Sequence, residues 1–265
     1  MSILTYPLGF IGGGKEFYNG VIENSLRITH ANTGGNAYLR QTQSASGDRR
    51  TWTLSWWEKR GSNTDEEINW ELGTDGTNTH WAIARLRTGG GTVFYDYDTP
   101  TDYGLKTDTV FRDPSAWYHI IAVWDTANGV AANRAIVYVN GVRETSLNTG
   151  TYPSQNADSG GAGRADARLR FGTYDATGNY FDGYLTEVHY TDNYAYDPSN
   201  FGEFKEDTDL WIPKEYDGSY GSNGFYINGY HSNDFGDDAS GNNNDFTSNN
   251  LGADHQVLDS PTFGS

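Results

Sequence analysis

The chain has 265 residues, 35 Asp and Glu against 18 Lys and Arg, a formal net charge of −17, and no cysteine. Without cysteine it has neither disulfides nor thiolate metal sites, and so acidic a surface argues against partners such as nucleic acid or an anionic membrane. The length suits one large all-β domain, or one domain with an appendage, whose core needs no covalent support.

Residues 1–20, MSILTYPLGFIGGGKEFYNG, show little pattern beyond a flexible joint at Gly12-Gly13-Gly14. They are expected to form an arm that packs on the domain or docks a partner. No basic region followed by an apolar one is evident there, so no signal peptide is expected. No apolar stretch anywhere is long enough to cross a bilayer, so no membrane insertion is expected. Residues 21–29 and 36–41 read as strands parted by a turn at 30–35. In residues 51–58, Trp52, Leu54 and Trp56 alternate with Thr53, Ser55 and Trp57, the period of a strand. Residues 68–72 and 81–86 read as a strand pair linked through 73–78. Residues 93–98 form a strand after Gly89-Gly90-Gly91, and residues 99–108 read as a polar loop.

The centre of the chain is 111–147. Residues 117–124 are apolar on both faces, as in a strand packed on both sides. Residues 134–139 are β-branched and aromatic and stop at Asn140-Gly141, the strongest short-range hairpin signal, because both residues tolerate positive φ. Beyond it, 148–166 reads as a long polar loop over one face, and 169–173 and 184–190 read as strands. Asp197-Pro198-Ser199-Asn200-Phe201 reads as a short helix start with Pro in its first turn. From residue 203 the texture changes: 203–209 is acidic, Trp211-Ile212-Pro213 is apolar, 224–227 is a strand candidate and 231–250 is almost wholly polar. The expected organisation is an arm (1–20), an antiparallel β-sandwich (21–202) and an extension (203–265) that packs on the sandwich or completes it.

Three stretches, WYHIIAVWDT (117–126), RAIVYVNGVRE (134–144) and RFGTYDATGNYFDGYLTEVHY (170–190), resemble in order and wording the laminin-G-like domains of the concanavalin A-like lectin/glucanase class. The wording resembles above all the LamG-like proteins of tailed, often marine, bacteriophages. Arg112-Asp113-Pro114-Ser115-Ala116-Trp117-Tyr118-His119, Asn140-Gly141-Val142 and Phe181-Asp182-Gly183-Tyr184-Leu185 carry the resemblance. So do Asp238-Ala239-Ser240-Gly241-Asn242-Asn243-Asn244-Asp245 and Asp259-Ser260-Pro261-Thr262. It runs from Ser25 to the end. It implies an antiparallel jelly-roll sandwich and a non-enzymatic virion structural protein: a tail fibre, a tail-associated part or a capsid-surface decoration. Such a protein is made in the host cytoplasm and located in the virion. Its partners would be other virion proteins, further copies of itself in a homo-oligomer, and host surface polysaccharide bound by the lectin-like domain.

Three candidate sites follow. Strand alternation puts Glu67, Asn69 and Glu71 on one face. Laminarinase-type glycosidases of the same fold class carry a similar Glu-x-Asp-x-(x)-Glu strand, so the alternative function is a glycan hydrolase using Glu67 and Glu71 as nucleophile and general acid. Asn69 stands where those enzymes have Asp, which removes the charge that would raise a neighbour's pKa; the bland alternative is a solvated strand face. Tyr95, Asp96, Tyr97, Asp98 and Tyr103 combine rings that stack on sugars with carboxylates that accept hydroxyl protons, or else pack the sandwich edge. Asp234, Asp237, Asp238, Asn242 and Asp245 are hard oxygen donors in a Gly-bearing loop, fit for calcium as the one expected cofactor, or for a turn in which Asn and Asp cap backbone groups. His119, in the central strand, reads as a core histidine with its hydrogen bonds satisfied.

Overall fold

The computed structural model describes residues 22, 24–29, 37–61, 70–74, 80–86, 91–98, 101–173, 181–206, 208–228 and 234–261. The expected arm (1–20), the turn at 30–35, most of the 73–78 link, Glu67 and Asn69 lie outside these residues, as do the side chains of Tyr95 and Asp98. In chain order the strands are β1 (Ser25–Ile28), β2 (Tyr38–Thr42), β3 (Thr51–Arg60), β4 (Trp70–Thr74), β5 (His80–Leu86), β6 (Gly91–Asp98), β7 (Thr101–Val110), β8 (Tyr118–Asp125) and β9 (Ala135–Val139). They continue with β10 (Val142–Arg143), β11 (Leu147–Thr151), β12 (Arg168–Phe171), β13 (Gly183–Asp192), β14 (Gly202–Phe204), β15 (Trp211–Pro213), β16 (Phe225–Ile227), β17 (Thr247–Asn249) and β18 (Gln256–Val257). The chain is all-β, 45% strand and 5% helical.

Among the described residues the strands form two eight-stranded sheets and one two-stranded ribbon. The first sheet runs β10-β9-β8-β3-β13-β1-β18, with β16 also on β13. The second runs β11-β7-β6-β5-β4-β12-β2-β17, and β14 pairs with β15. All of these pairings are antiparallel. The β9–β10 hairpin turns on Asn140 (φ 47°) and Gly141 (φ 77°), the left-handed pair that a two-residue turn of this twist requires.

The aromatic alternation in β3 explains how the sheets stack. Trp52, Leu54 and Trp56 point into the sandwich and are buried. Trp52 meets Phe94 of the second sheet edge-on at 5.6 Å, and Trp56 meets Trp70 at 5.7 Å. The opposite face of the first sheet is also buried: Thr53, Ser55, Trp57, His119, Ile121 and Val123 have almost no exposure. Residues from 194–206 and 208–226 cover it, Phe201 packing with Ile121 and Val123 and Tyr216 stacking on Phe201 at 5.0 Å. This third layer is why residues 117–124 are apolar on both sides.

Two expectations need correction. Residues 99–108 were expected to be a loop, yet Thr101–Val110 is the long strand β7, held between β6 and β11. Its inward residues, Leu105 and Thr107, are separated by Lys106 and followed by exposed Asp108. The ladder on both sides supplies the backbone bonds that the weak apolar pattern does not advertise. The expected loop at 148–166 begins inside β11, so only residues from 152 onward are loop. The helix start at Asp197 is a short 3-10 turn, in which the Asp197 carboxylate accepts from Ser199 N at 2.8 Å. Beyond residue 203, β16 joins β13, β17 joins β2 and β18 joins β1, so this stretch contributes strands to both sheets.

Candidate functional site

The sequence-predicted residues fall in different places. Glu71 sits on β4 and is fully buried; its carboxylate is paired with Arg170 directly across the ladder on β12. Asp96, on β6, faces the interior. It accepts from Ser159 Oγ and, at 2.8 Å, from Gly160 N, and so ties the loop that follows β11 into the sandwich. Tyr103, opposite Asp96 in the ladder, packs against the core with its ring 6.0 Å from Trp124. Tyr97 is half-buried.

The loop from Asp234 to Asp245 is organised by Asp238. One of its carboxylate oxygens accepts from Tyr226 N (2.8 Å) and Ser240 N (2.9 Å), the other from Ser240 Oγ and Asn244 N (both 2.9 Å). Asp245 accepts from Asp238 N (3.0 Å) and Asp234 from Gly236 N (3.2 Å). The Asn242 amide donates to the Gly221 and Gly224 carbonyls at 2.7 and 2.9 Å. Calcium takes roughly six to eight oxygens. Here the best-placed carboxylate is already saturated by N–H and O–H donors, so these residues fit a capped turn and do not fit a calcium cage. Among the described residues no group of three or more His, Asp or Glu is arranged to hold a metal ion.

Two histidines on the outer face of the first sheet have partners that sequence spacing hides. His119 stacks on Trp57 at 4.7 Å, accepts from Trp211 Nε1 at Nδ1 (2.8 Å) and lies 2.8 Å from Ser55 Oγ through Nε2. The Trp211 donor forces the proton onto Nε2, which must then donate to Ser55. A histidine in that tautomer cannot take the serine proton, so the pair has the spacing of a catalytic dyad with the hydrogen bond reversed. Burial, and secondarily the nearby His189, hold the His119 pKa well below 6.5. His189 stacks on Tyr226 at 4.3 Å and bonds the Tyr220 hydroxyl at 2.9 Å, while Tyr226 donates to both oxygens of Glu187. Both clusters are buried and serve to fasten the third layer.

An open polar cleft of about 760 Å³ lies at the end of the sandwich where β3 begins and β13 ends. Its floor is Asp192, buried at the end of β13. This carboxylate accepts from Asp48 N at 2.7 Å, and from Asn223 N and Nδ2 at 3.3 and 3.2 Å. Gly47 allows this approach, since a Cβ there would lie 2.6 Å from an Asp192 oxygen. Beneath the floor, burial and the charges of Asp192 and Asp48 push the Tyr190 hydroxyl pKa well up, so it stays neutral. Asp48 uses one oxygen to accept from Arg50 N and Thr51 N, which starts β3. On one wall Asp158 pairs with Arg50 Nε at 2.7 Å and Arg49 Nη1 at 3.3 Å. On the other, Tyr194 stacks on Tyr196 at 5.4 Å, and its carbonyl is anchored by the hydroxyls of Thr53 and Thr191. Asn193, held in the left-handed region (φ 71°), sits between floor and wall.

Among the described residues four polar groups around this rigid frame have no hydrogen-bond partner: the second Asp48 oxygen, the terminal nitrogens of Arg50, the Asn193 amide and the Tyr194 hydroxyl. Sequence reading missed the cleft because its residues come from four separate segments. The one local signal was the charged turn Gly47-Asp48-Arg49-Arg50 set directly before an aromatic strand.

The family model described as the concanavalin A-like lectin/glucanases superfamily, Laminin_G_3, matches residues 33–194. The chain belongs to this family, and the cleft residues 46–50, 158 and 192–194 lie within the matched range. No curated protein matches the chain significantly. Among solved structures it is similar to the heptameric SAP-like pentraxin of Limulus polyphemus, at 16% identity and a TM-score of 0.47, over 67% of this chain and 79% of that one. It is also similar to the CBM40 of the Ruminococcus gnavus IT-sialidase bound to α2,6 sialyllactose, at 15% identity and a TM-score of 0.43, over 68% of this chain and 96% of that one. A third likeness is to domains LG4-5 of the mouse laminin α1 chain, at 12% identity and a TM-score of 0.46, over 72% of this chain and 48% of that one.

Proposed function

We propose that the chain is a non-enzymatic, lectin-like recognition module of a bacteriophage particle, which takes host surface carbohydrate in the cleft between Asp48, Asn193 and Tyr194. The observation that carries the binding reading is the set of uncommitted acceptors and donors held on a stiff frame in a cleft of small-ligand size. Sugar hydroxyls both donate and accept. A carboxylate oxygen, an amide, a guanidinium and a phenol answer them in both senses, and the Tyr194 ring adds an amphipathic surface. The non-enzymatic reading is supported by Glu71 being tied to Arg170 and by the reversed Ser55–His119 bond. The virion reading is supported by the resemblance of residues 112–144 and 181–185 to phage LamG-like proteins. On a particle, several symmetric copies would turn weak single-site binding into firm attachment.

Calorimetry of the purified chain against a panel of oligosaccharides tests the binding reading. The wild type should bind at least one member, and Asp48→Asn with Tyr194→Phe, which keep the bonds that start β3, should weaken that binding several-fold without a change in fold. No heat with any member removes the reading. Immunogold labelling of purified particles tests the location.

A further inference from the structure

We infer that the rim cleft selects uncharged sugars over acidic ones, with Asp48 as the residue that sets the selection. The inference rests on the carbohydrate reading above. Three carboxylates, Asp48, Asp158 and Asp192, and two guanidiniums, Arg49 and Arg50, line the cleft. Both cations share Asp158, Arg50 through Nε alone, and Arg49 also donates through Nε to the Ser159 carbonyl at 2.9 Å. Among the described residues neither Asp48 nor Asp192 is paired with a cation. Their hydrogen-bond partners among the described residues are neutral: backbone N–H groups and the Asn223 amide. A carboxylated sugar entering the cleft therefore meets three carboxylates against two guanidiniums, both of which already share their charge with Asp158. Like charges brought together at an interface are strongly disfavoured, and this is how a site rejects the wrong member of a ligand pair.

A neutral sugar meets the same groups differently. The free Asp48 oxygen accepts a hydroxyl proton, and a charged acceptor makes a stronger hydrogen bond than a neutral one. The Asn193 amide and the outer nitrogens of Arg50 accommodate the adjacent hydroxyl oxygens. The net charge of −17 adds a second, long-range repulsion of acidic polymers, but salt screens that contribution over about 10 Å, whereas contact inside the cleft is screened far less.

The test compares matched oligosaccharides that differ only in a terminal neutral hexose against a sialic or uronic acid, by calorimetry at low and at high salt. The wild type should bind the neutral member at least about tenfold more tightly, and high salt should leave most of that ratio. Asp48→Asn keeps the oxygen that accepts from Arg50 N and Thr51 N, so it should fold, and the ratio should shrink several-fold. Arg50→Gln should widen the ratio, because it removes a positive charge and leaves Asp158 less compensated. A wild-type preference for the acidic member, or an unchanged ratio in both variants, overturns this inference and leaves carbohydrate binding standing. Binding of neither member at any salt is the separate result that removes the carbohydrate reading itself.

Discussion

Asp192 carries more of the cleft than any other single residue. Its carboxylate receives three N–H groups from two loops, and Gly47 and Gly221 pack so closely on it that a Cβ at either would overlap Asp192 atoms. Hydrogen bonds to a buried charge contribute about 1.5–3 kcal/mol each, and an orphaned buried donor costs a similar amount. Asp192→Ala should therefore lower the unfolding free energy by about 3 kcal/mol or more, measured by urea denaturation. It should also abolish ligand binding under conditions where the variant is still folded. A variant as stable as wild type would show that the loops 46–50 and 221–223 are held by something else. His119 supplies the pH dependence. Burial keeps it neutral in the folded chain, whereas the unfolded chain takes up its proton near the ordinary 6.5. The unfolded state thus binds more protons below that value. The stability contributed by neutral His119 is full above pH 6.5 and is lost as pH falls from there toward the depressed folded pKa, by at most about 1.4 kcal/mol per pH unit. The urea midpoint should fall between about pH 7 and about pH 5.5, and His119→Gln should flatten that fall; an equal slope in the variant would assign the effect to other groups.

Turns and bulges decide which side chains face which layer. Along β13 the pairing with β3 slips by one residue between Thr186 and His189, and Glu187 there has φ 49°. The extra residue restores parity: Leu185 and Val188 both point into the core, while Glu187 and His189 both face the third layer. The β9–β10 turn is equally constrained. Gly141 has φ 77°, and a Cβ there would lie 2.4 Å from the Trp211 ring, the ring whose N–H fixes His119. Gly141→Ala should cost about 2 kcal/mol or more from backbone strain alone, read as a drop in melting temperature, with a change in near-ultraviolet dichroism as Trp211 is displaced. A change in melting temperature of less than a degree or so would mean that the hairpin relaxes freely. This turn was legible in the sequence because Asn-Gly between apolar runs has one dominant structural meaning, and so were three strands: the one around Trp52 from its alternation, and those around Trp124 and Val137 from their apolar, β-branched and aromatic runs. Strand β7 was not legible, because Gly104, Lys106 and Asp108 interrupt its pattern. Nor was the cleft, since nothing local links Asp48, Asp158, Asp192 and Asn193. Asp96 shows the same limit: a carboxylate between tyrosines reads as a surface group, and only the fold reveals that Ser159 and Gly160 close over it.

Among the described residues the C-terminal stretch closes contacts distant in the chain, to β13, β2 and β1. Phe225 and Ile227 on β16, with Phe235 and Phe246 beyond it, are all buried in the main core, where Phe246 meets Phe171 and Phe225 at 4.9 Å each. Full burial of one such side chain is worth about 1.5–3 kcal/mol. Four of them come to about 6–12 kcal/mol, comparable to the whole net stability of a typical domain, about 5–15 kcal/mol. The same stretch caps strand edges in both sheets, since β17 covers β2, β18 covers β1 and β16 covers the far half of β13. Exposed edges of that kind template aggregation. A chain ending after Phe204 should therefore lose its cooperative thermal transition and its near-ultraviolet signal and associate at low concentration, while the full chain melts in a single step. If the shortened chain kept a sharp transition, residues 205–265 would be an appendage resting on a finished sandwich. The third layer would then have to be stable without Trp211 and Tyr216, although these are the rings that cover His119 and Phe201 on the outer face of the first sheet.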